Sequence, residues 1–283
     1  MDRRRQQYIT GNRGGARTAG MQDIDPLLIL QPLVYLAMSV GLVLYWRLRR
    51  TFRGVVLVLA FAAYAGAIAM KEVFQALTLG AVTSAFGAVS VQTGLYFGLQ
   101  TSVFEVGLAY LVARYAVSKR RVTGADAEAY GISLAFWENG VLLGALSLLS
   151  VSLTYVLIAQ GLMPQSAYQQ LVATDPSLFY PPGQLAVPVA LGVLERASSL
   201  LFHLSWGYLC VLAAYLRRRA YLLAALPMGL VDATVPFARE VPLWEYEGAL
   251  FALSLAAFLA TWTITGADRR AGYVVPGAAP PSS

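Results

Sequence analysis

A chain of 283 residues that is 58% hydrophobic and 13% charged, with mean hydropathy +0.59, is too apolar for an ordinary soluble domain. Its net charge of +6 does not mark a nucleic-acid binder, because the basic residues gather in short loops beside apolar runs. A single cysteine, Cys210, excludes an intrachain disulfide and any multi-cysteine metal site, and its apolar surroundings predict core packing.

The chain opens with an Arg-rich tail over 1–26, beginning MDRRRQQYITGNRGGARTAG, which lacks the pattern of a secretory signal peptide. One reading is that translation starts at Met21, leaving an acidic QDID before the first apolar run. Seven runs are long enough to cross a bilayer at roughly 20 residues each. They lie near 27–46, 54–74, 94–116, 130–160, 187–215, 220–237 and 243–265. Together they predict an all-α, polytopic domain over 27–266 with seven transmembrane helices.

The first two spans are joined by RLRRTFR, and the small, weakly polar residues 75–93 read as an outer loop or a re-entrant piece. A charged loop covers 117–129. In the fourth span Gly140 and Gly144 would let another helix approach closely. The connection 161–186 carries Pro181 and Pro182 and is expected to be stiff and non-helical, a connector in preference to a lid. The sixth span is short and interrupted by Pro227 and Pro236, and 267–283 reads as a disordered tail.

With seven spans, one side collects Arg47, Arg49, Arg50, Arg53, Lys119, Arg120, Arg121, Arg217, Arg218, Arg219, Arg269 and Arg270. The other side has Lys71, Arg239 and the five tail arginines. The positive-inside rule then places the C-terminus in the cytoplasm and the N-terminus outside. The expectation is a multi-pass protein of the cell membrane, surrounded by lipid.

An ionisable group in hydrocarbon costs roughly 2.5–3.5 kcal/mol on insertion scales, so such groups turn inward. The spans hold Glu105, Glu138, Glu195, Arg196, the only histidine His203, and Asp232, with Asn139 beside Glu138. Glu195, Ser199 and His203 are four apart and share a helix face. Glu105, Glu138, His203 and Asp232 fall at similar depth on four spans, which predicts one buried polar cluster. Glu195 and Arg196 read as a local ion pair or as an outward-reaching arginine, His203 and Asn139 as helix glue or as part of a site. Two buried carboxylates need protons, counter-charges or a metal. A mid-membrane glutamate can act as a general base toward water, here Glu105, with Glu138, His203 and Asp232 orienting water or supporting a metal. With one histidine, any zinc site would be carboxylate-rich.

These segments resemble the CAAX-protease and bacteriocin-processing superfamily of intramembrane proteases, most nearly its YhfC and PrsW branches. FEVGLAY (104–110), GISLAFWENG (131–140), ERASSLLFH (195–203) and MGLVD (228–232) are similar to its successive motifs. The chain departs from them at Val106, Ala109, Leu134 and Met228, the last two standing where histidines are expected. The resemblance implies Glu105, Glu138 and His203 as catalytic groups, Glu138 and His203 as metal ligands, and Asn139, Glu195, Arg196 and Asp232 in support. It also implies a membrane-protein or peptide substrate. From about 124 to 270, LLFHLSWGYL, RRRAYLLA, PLWEYEGALFA and ATWTITGA resemble the anterior-pharynx-defective subunit of gamma-secretase. That likeness implies a scaffold for a presenilin-like aspartyl protease, with His203 as a packing post. A proton-coupled transporter would also use buried carboxylates and a histidine, but no inverted repeat is visible.

Overall fold

The computed structural model describes residues 24–50, 52–174 and 176–273. Seven helices are long and apolar enough to cross a membrane: α1 (Leu27–Arg49), α2 (Gly54–Phe86), α3 (Val91–Ser118), α4 (Gly124–Ala159), α5 (Gly183–Tyr215), α6 (Arg219–Phe237) and α7 (Leu243–Ile264). There is no strand among the described residues. Leu48, Val58, Leu111, Leu149, Val187, Leu223 and Leu259, one from each span, are exposed, whereas Ser39, Ser102, Ser133, Ser205 and Ser254 are buried. Apolar outside and polar inside is the arrangement hydrocarbon selects. This is a multi-pass membrane protein.

The long span α5 is the hub and packs against α1, α3, α4, α6 and α7. Leu209, Cys210, Val211 and Leu212 have no exposed surface, so the cysteine is core, with its Sγ 3.6 Å from the Val106 carbonyl. α4 and α5 touch backbone to backbone. A Cβ on Gly131 would stand 2.6 Å from the Leu204 carbonyl oxygen, and one on Gly207 would stand 2.6 Å from the Gly131 Cα. Gly140 and Gly144 face α1 in the same way, against Ser39 and Leu36.

The helices differ from expectation at four places. No outer loop or re-entrant piece spans 75–93. α2 instead continues to Phe86, Gly87 ends it at φ +85, and the Ser90 side chain accepts the Thr93 N–H to start α3. The connection 161–186 is largely helical, with a helix at Gln165–Thr174, a 3-10 turn at Pro176–Phe179 and α5 starting at once. Proline at the first helical positions opens α5 rather than preventing it. This connection packs with Ile24, Leu28 and Ile158, and none of its described residues lines the polar cavity described below.

The two prolines of α6 do not break the span. Arg219–Ala225 is α-helical and Leu226–Phe237 is 3-10, so the rise per residue grows to about 2.0 Å. Nineteen residues then reach about 35 Å, enough for a hydrocarbon core of about 30 Å. Finally, the tail expected from 267 overlaps a short helix: Gly266–Arg270 is helical, and Asp268 is tied to Arg218 and Tyr221. Residues 274–283, and the tail with Met21, lie outside the described residues.

Candidate metal centre

Each acidic side chain of the cluster stands on a stretch that is not ordinary α-helix. Glu105 lies in a π-helical segment, Thr101–Val106, within α3. Glu138 and Asn139 lie in a second, Phe136–Leu146, within α4. Asp232 lies on the 3-10 part of α6. Such local changes of winding re-aim side chains and recur at functional sites. His203 comes from the regular helix α5.

Close backbone contacts bring these segments together. The α4–α5 approach at Gly131 and Gly207 sets Glu138 opposite His203, with Glu138 Oε2 3.1 Å from His203 Nε2. On the other flank a Cβ at Gly229 would lie 2.5 Å from the Ser102 nitrogen, and Ser102 Oγ donates to the Leu226 carbonyl at 2.8 Å. This contact lets the Thr101 hydroxyl donate to Asp232. Glu105 Oε2 lies 3.7 Å from His203 Nε2. One ligand atom each from Glu105, Glu138 and His203 lies within 4.8 Å of the others.

Glu105, Glu138, His203 and Asp232 thus converge on one cavity of about 290 Å³, also lined by Tyr64, Lys71 and Glu195. Arg196 does not reach outward. Its guanidinium is largely enclosed and donates to Glu138 Oε1 at 3.1 Å, to Asn139 Oδ1 at 3.3 Å and to Glu195. Asn139 in turn donates to the Arg196 carbonyl at 3.4 Å, bonding α4 to α5.

Lys71 was not legible as part of the site. Grouped by charge with the outer loops, it lies inside α2, and its Nζ donates to Glu105 Oε1 at 2.5 Å, Thr101 Oγ1 at 2.8 Å and Asp232 Oδ2 at 3.3 Å. Ser199, recognisable from its four-residue spacing, donates to Glu138 Oε1 at 2.8 Å. These bonds hold one oxygen of each glutamate and leave the other turned toward His203.

The imidazole is fixed in place. Its Nδ1 lies 2.9 Å from the Ser199 carbonyl oxygen, and the Trp206 ring lies 4.3 Å away, centroid to centroid. A carbonyl only accepts, so Nδ1 carries a proton and Nε2 is the atom turned to the carboxylates. Nε2 is buried, close to two oxygens, and makes no directed hydrogen bond. Around the cavity, Glu105, Glu138, Glu195 and Asp232 face Lys71 and Arg196, a net −2 with a neutral imidazole. With Nε2 unprotonated, its lone pair and the two carboxylates converging in low dielectric call for a positive charge between them. A divalent cation fits both the donor set and the charge, with the imidazole oriented by its second nitrogen as metal-binding histidines are.

Fold and site together define a multi-pass membrane protein with a carboxylate–histidine centre suited to a metal, buried among its spans. The family model of the YhfC intramembrane metalloprotease matches residues 34–236, and the chain belongs to that family. No curated protein and no solved structure matches the chain, so the likeness to the gamma-secretase subunit gains no support.

Proposed function

We propose that the protein is a zinc-dependent intramembrane endopeptidase that cleaves peptide bonds of membrane-embedded substrates at this cavity. The observation that carries the proposal is the convergence of Glu105, Glu138 and His203 in a member of a metalloprotease family. Glu138 and His203 are the ligands, with Glu105 Oε2 beside them. When bound, the ion supplies Lewis acidity, which polarises a peptide carbonyl and makes water more acidic.

The chain's own groups do the rest. Glu105 accepts the proton of the attacking water at Oε2 and returns it to the leaving amide nitrogen as the C–N bond breaks. Lys71 holds its other oxygen, which fixes the carboxylate in place. Arg196 and Ser199 do the same for Glu138. Ile68, Leu142, Phe202, Val231 and Leu250 form apolar walls that suit a transmembrane segment and restrict bulk water. The Arg-rich face is cytoplasmic in this reading, which puts the N-terminus outside.

The test is cleavage of a transmembrane peptide in vesicles by Glu105→Gln. The expected outcome is a loss of about 10²–10⁴-fold with the fold retained, because the substitution keeps shape and a hydrogen-bond acceptor for Lys71 but removes the base. Cleavage that survives Glu105→Gln would remove Glu105 from the role of base.

A further inference from the structure

One hydroxyl on the wall of the metal cavity is uncommitted. The two cations there, Lys71 and Arg196, already donate to carboxylates. Thr101 donates to Asp232, and Ser199 donates to Glu138. Ser198 donates to the Leu194 carbonyl at 3.0 Å, and the hydroxyls of Thr234 and Tyr246 bond each other at 3.0 Å. The remaining hydroxyl belongs to Tyr64, which lines the cavity and makes no hydrogen bond among the described residues.

Tyr64 is held at the centre rather than at the surface. It is 8% exposed, and with Ile68 and Lys71 it forms the face of α2 that looks into the cavity. Its ring meets the His203 imidazole edge-on, with centroids 6.3 Å apart and planes at 67°. The carboxylates acting on its hydroxyl are those of Glu138 and Glu105, yet neither accepts a hydrogen bond from it. A phenol enclosed among spans normally finds an acceptor. Here the donor stays open to whatever enters beside the base.

We propose that Tyr64 is a catalytic residue of the cleavage reaction, its hydroxyl donating to the scissile carbonyl oxygen as that oxygen becomes an oxyanion. The proposal rests on the endopeptidase reading above. Water oxygen bonds to the carbonyl carbon, its proton passes to Glu105 Oε2, and the C=O π pair moves onto the carbonyl oxygen. The Tyr64 O–H meets that charge and keeps its own proton. As the C–N bond breaks, the pair re-forms C=O and the proton passes from Glu105 to the leaving nitrogen. A donor fixed in a site poor in water serves such a charge without reorganising, so its contribution appears in the transition state more than in substrate binding.

The experiment measures kcat and KM for a transmembrane peptide in vesicles, per zinc-loaded full chain, for the parent, Tyr64→Phe and Tyr246→Phe. Tyr64→Phe keeps the ring against His203 and removes the donor, so kcat should fall about 10²-fold with KM within about twofold. Its affinity for a phosphinate analogue of the peptide, which carries the tetrahedral anion, should fall at least about 10-fold with zinc content unchanged. Tyr246→Phe, whose hydroxyl is bonded to Thr234, should leave kcat as in the parent. An unchanged kcat in Tyr64→Phe, a change confined to KM, or loss of zinc from that variant would overturn the role of Tyr64 alone. A parent that binds zinc and cleaves nothing would overturn the endopeptidase reading and this proposal with it.

Discussion

The carboxylates at the Arg-rich face and those in the cavity are treated differently by the same fold. Asp126 is matched by Arg53, with the Thr123 N–H and hydroxyl at 2.8 Å completing its bonds. Asp268 is matched by Arg218, at 2.6 and 2.8 Å, and by the Tyr221 hydroxyl. Each is a closed pair that ties a loop to a helix end. In the cavity, four carboxylates share two cations, and the only histidine faces two of the acids. Closed pairs hold a structure together, whereas an excess of negative charge around one cavity marks a place built for something positive. The contrast separates structural charge from site charge more clearly than burial does, since Asp126 is as buried as Glu105.

The comparison breaks most visibly at catalysis. His203→Ala should lower cleavage of a transmembrane peptide by at least about 10²-fold, whereas Asp268→Ala should leave cleavage per folded molecule unchanged. If Asp268→Ala lowers it as much, the distinction between the two regions fails.

Stability gives the next largest effect. Lys71→Met leaves the buried Glu105 and the half-buried Asp232 without their cation and should cost about 3–5 kcal/mol in equilibrium unfolding. Lys71→Arg should recover most of that loss. Asp268→Ala opens a pair whose arginine is 45% exposed, and solvent screening keeps its cost to about 1–2 kcal/mol. A larger loss from Asp268→Ala than from Lys71→Met would invert the comparison.

The cavity was partly readable from the chain because charge in hydrocarbon is costly. Glu105, Glu138, His203 and Asp232 stand out in apolar runs, and their matched depths place them together. Lys71 is hidden for the opposite reason. It precedes Glu72 where the strongly apolar run is fading, so the segment reads as a helix end, although α2 continues for fifteen residues beyond it. Its partners are also distant in sequence, and pairing across helices leaves no local spacing. The helix at Gln165–Thr174 is hard to read from the chain because half of its residues are polar and three prolines follow it. The π and 3-10 segments carry no plain local signal, and the contact of Gly229 with Ser102 joins residues far apart in sequence. Seven spans, by contrast, follow from composition and length alone.

The smallest effect is a labelling pattern that changes no stability. Single cysteines placed in 47–53 or 216–219 should resist membrane-impermeant thiol reagents in intact cells, and ones in 165–174 should react. Cys210 is buried and gives a silent background. The reverse pattern would turn the molecule over in the membrane and put the closed pairs outside.

The most direct measurement is the metal content of the full chain after purification without chelators, for the parent, His203→Ala and Asp268→Ala. The expected result is about one divalent ion per chain in the parent and in Asp268→Ala, with loss of that ion in His203→Ala. A parent that retains no ion when supplied with excess zinc, or an ion that persists in His203→Ala, would contradict a metal centre at Glu105, Glu138 and His203.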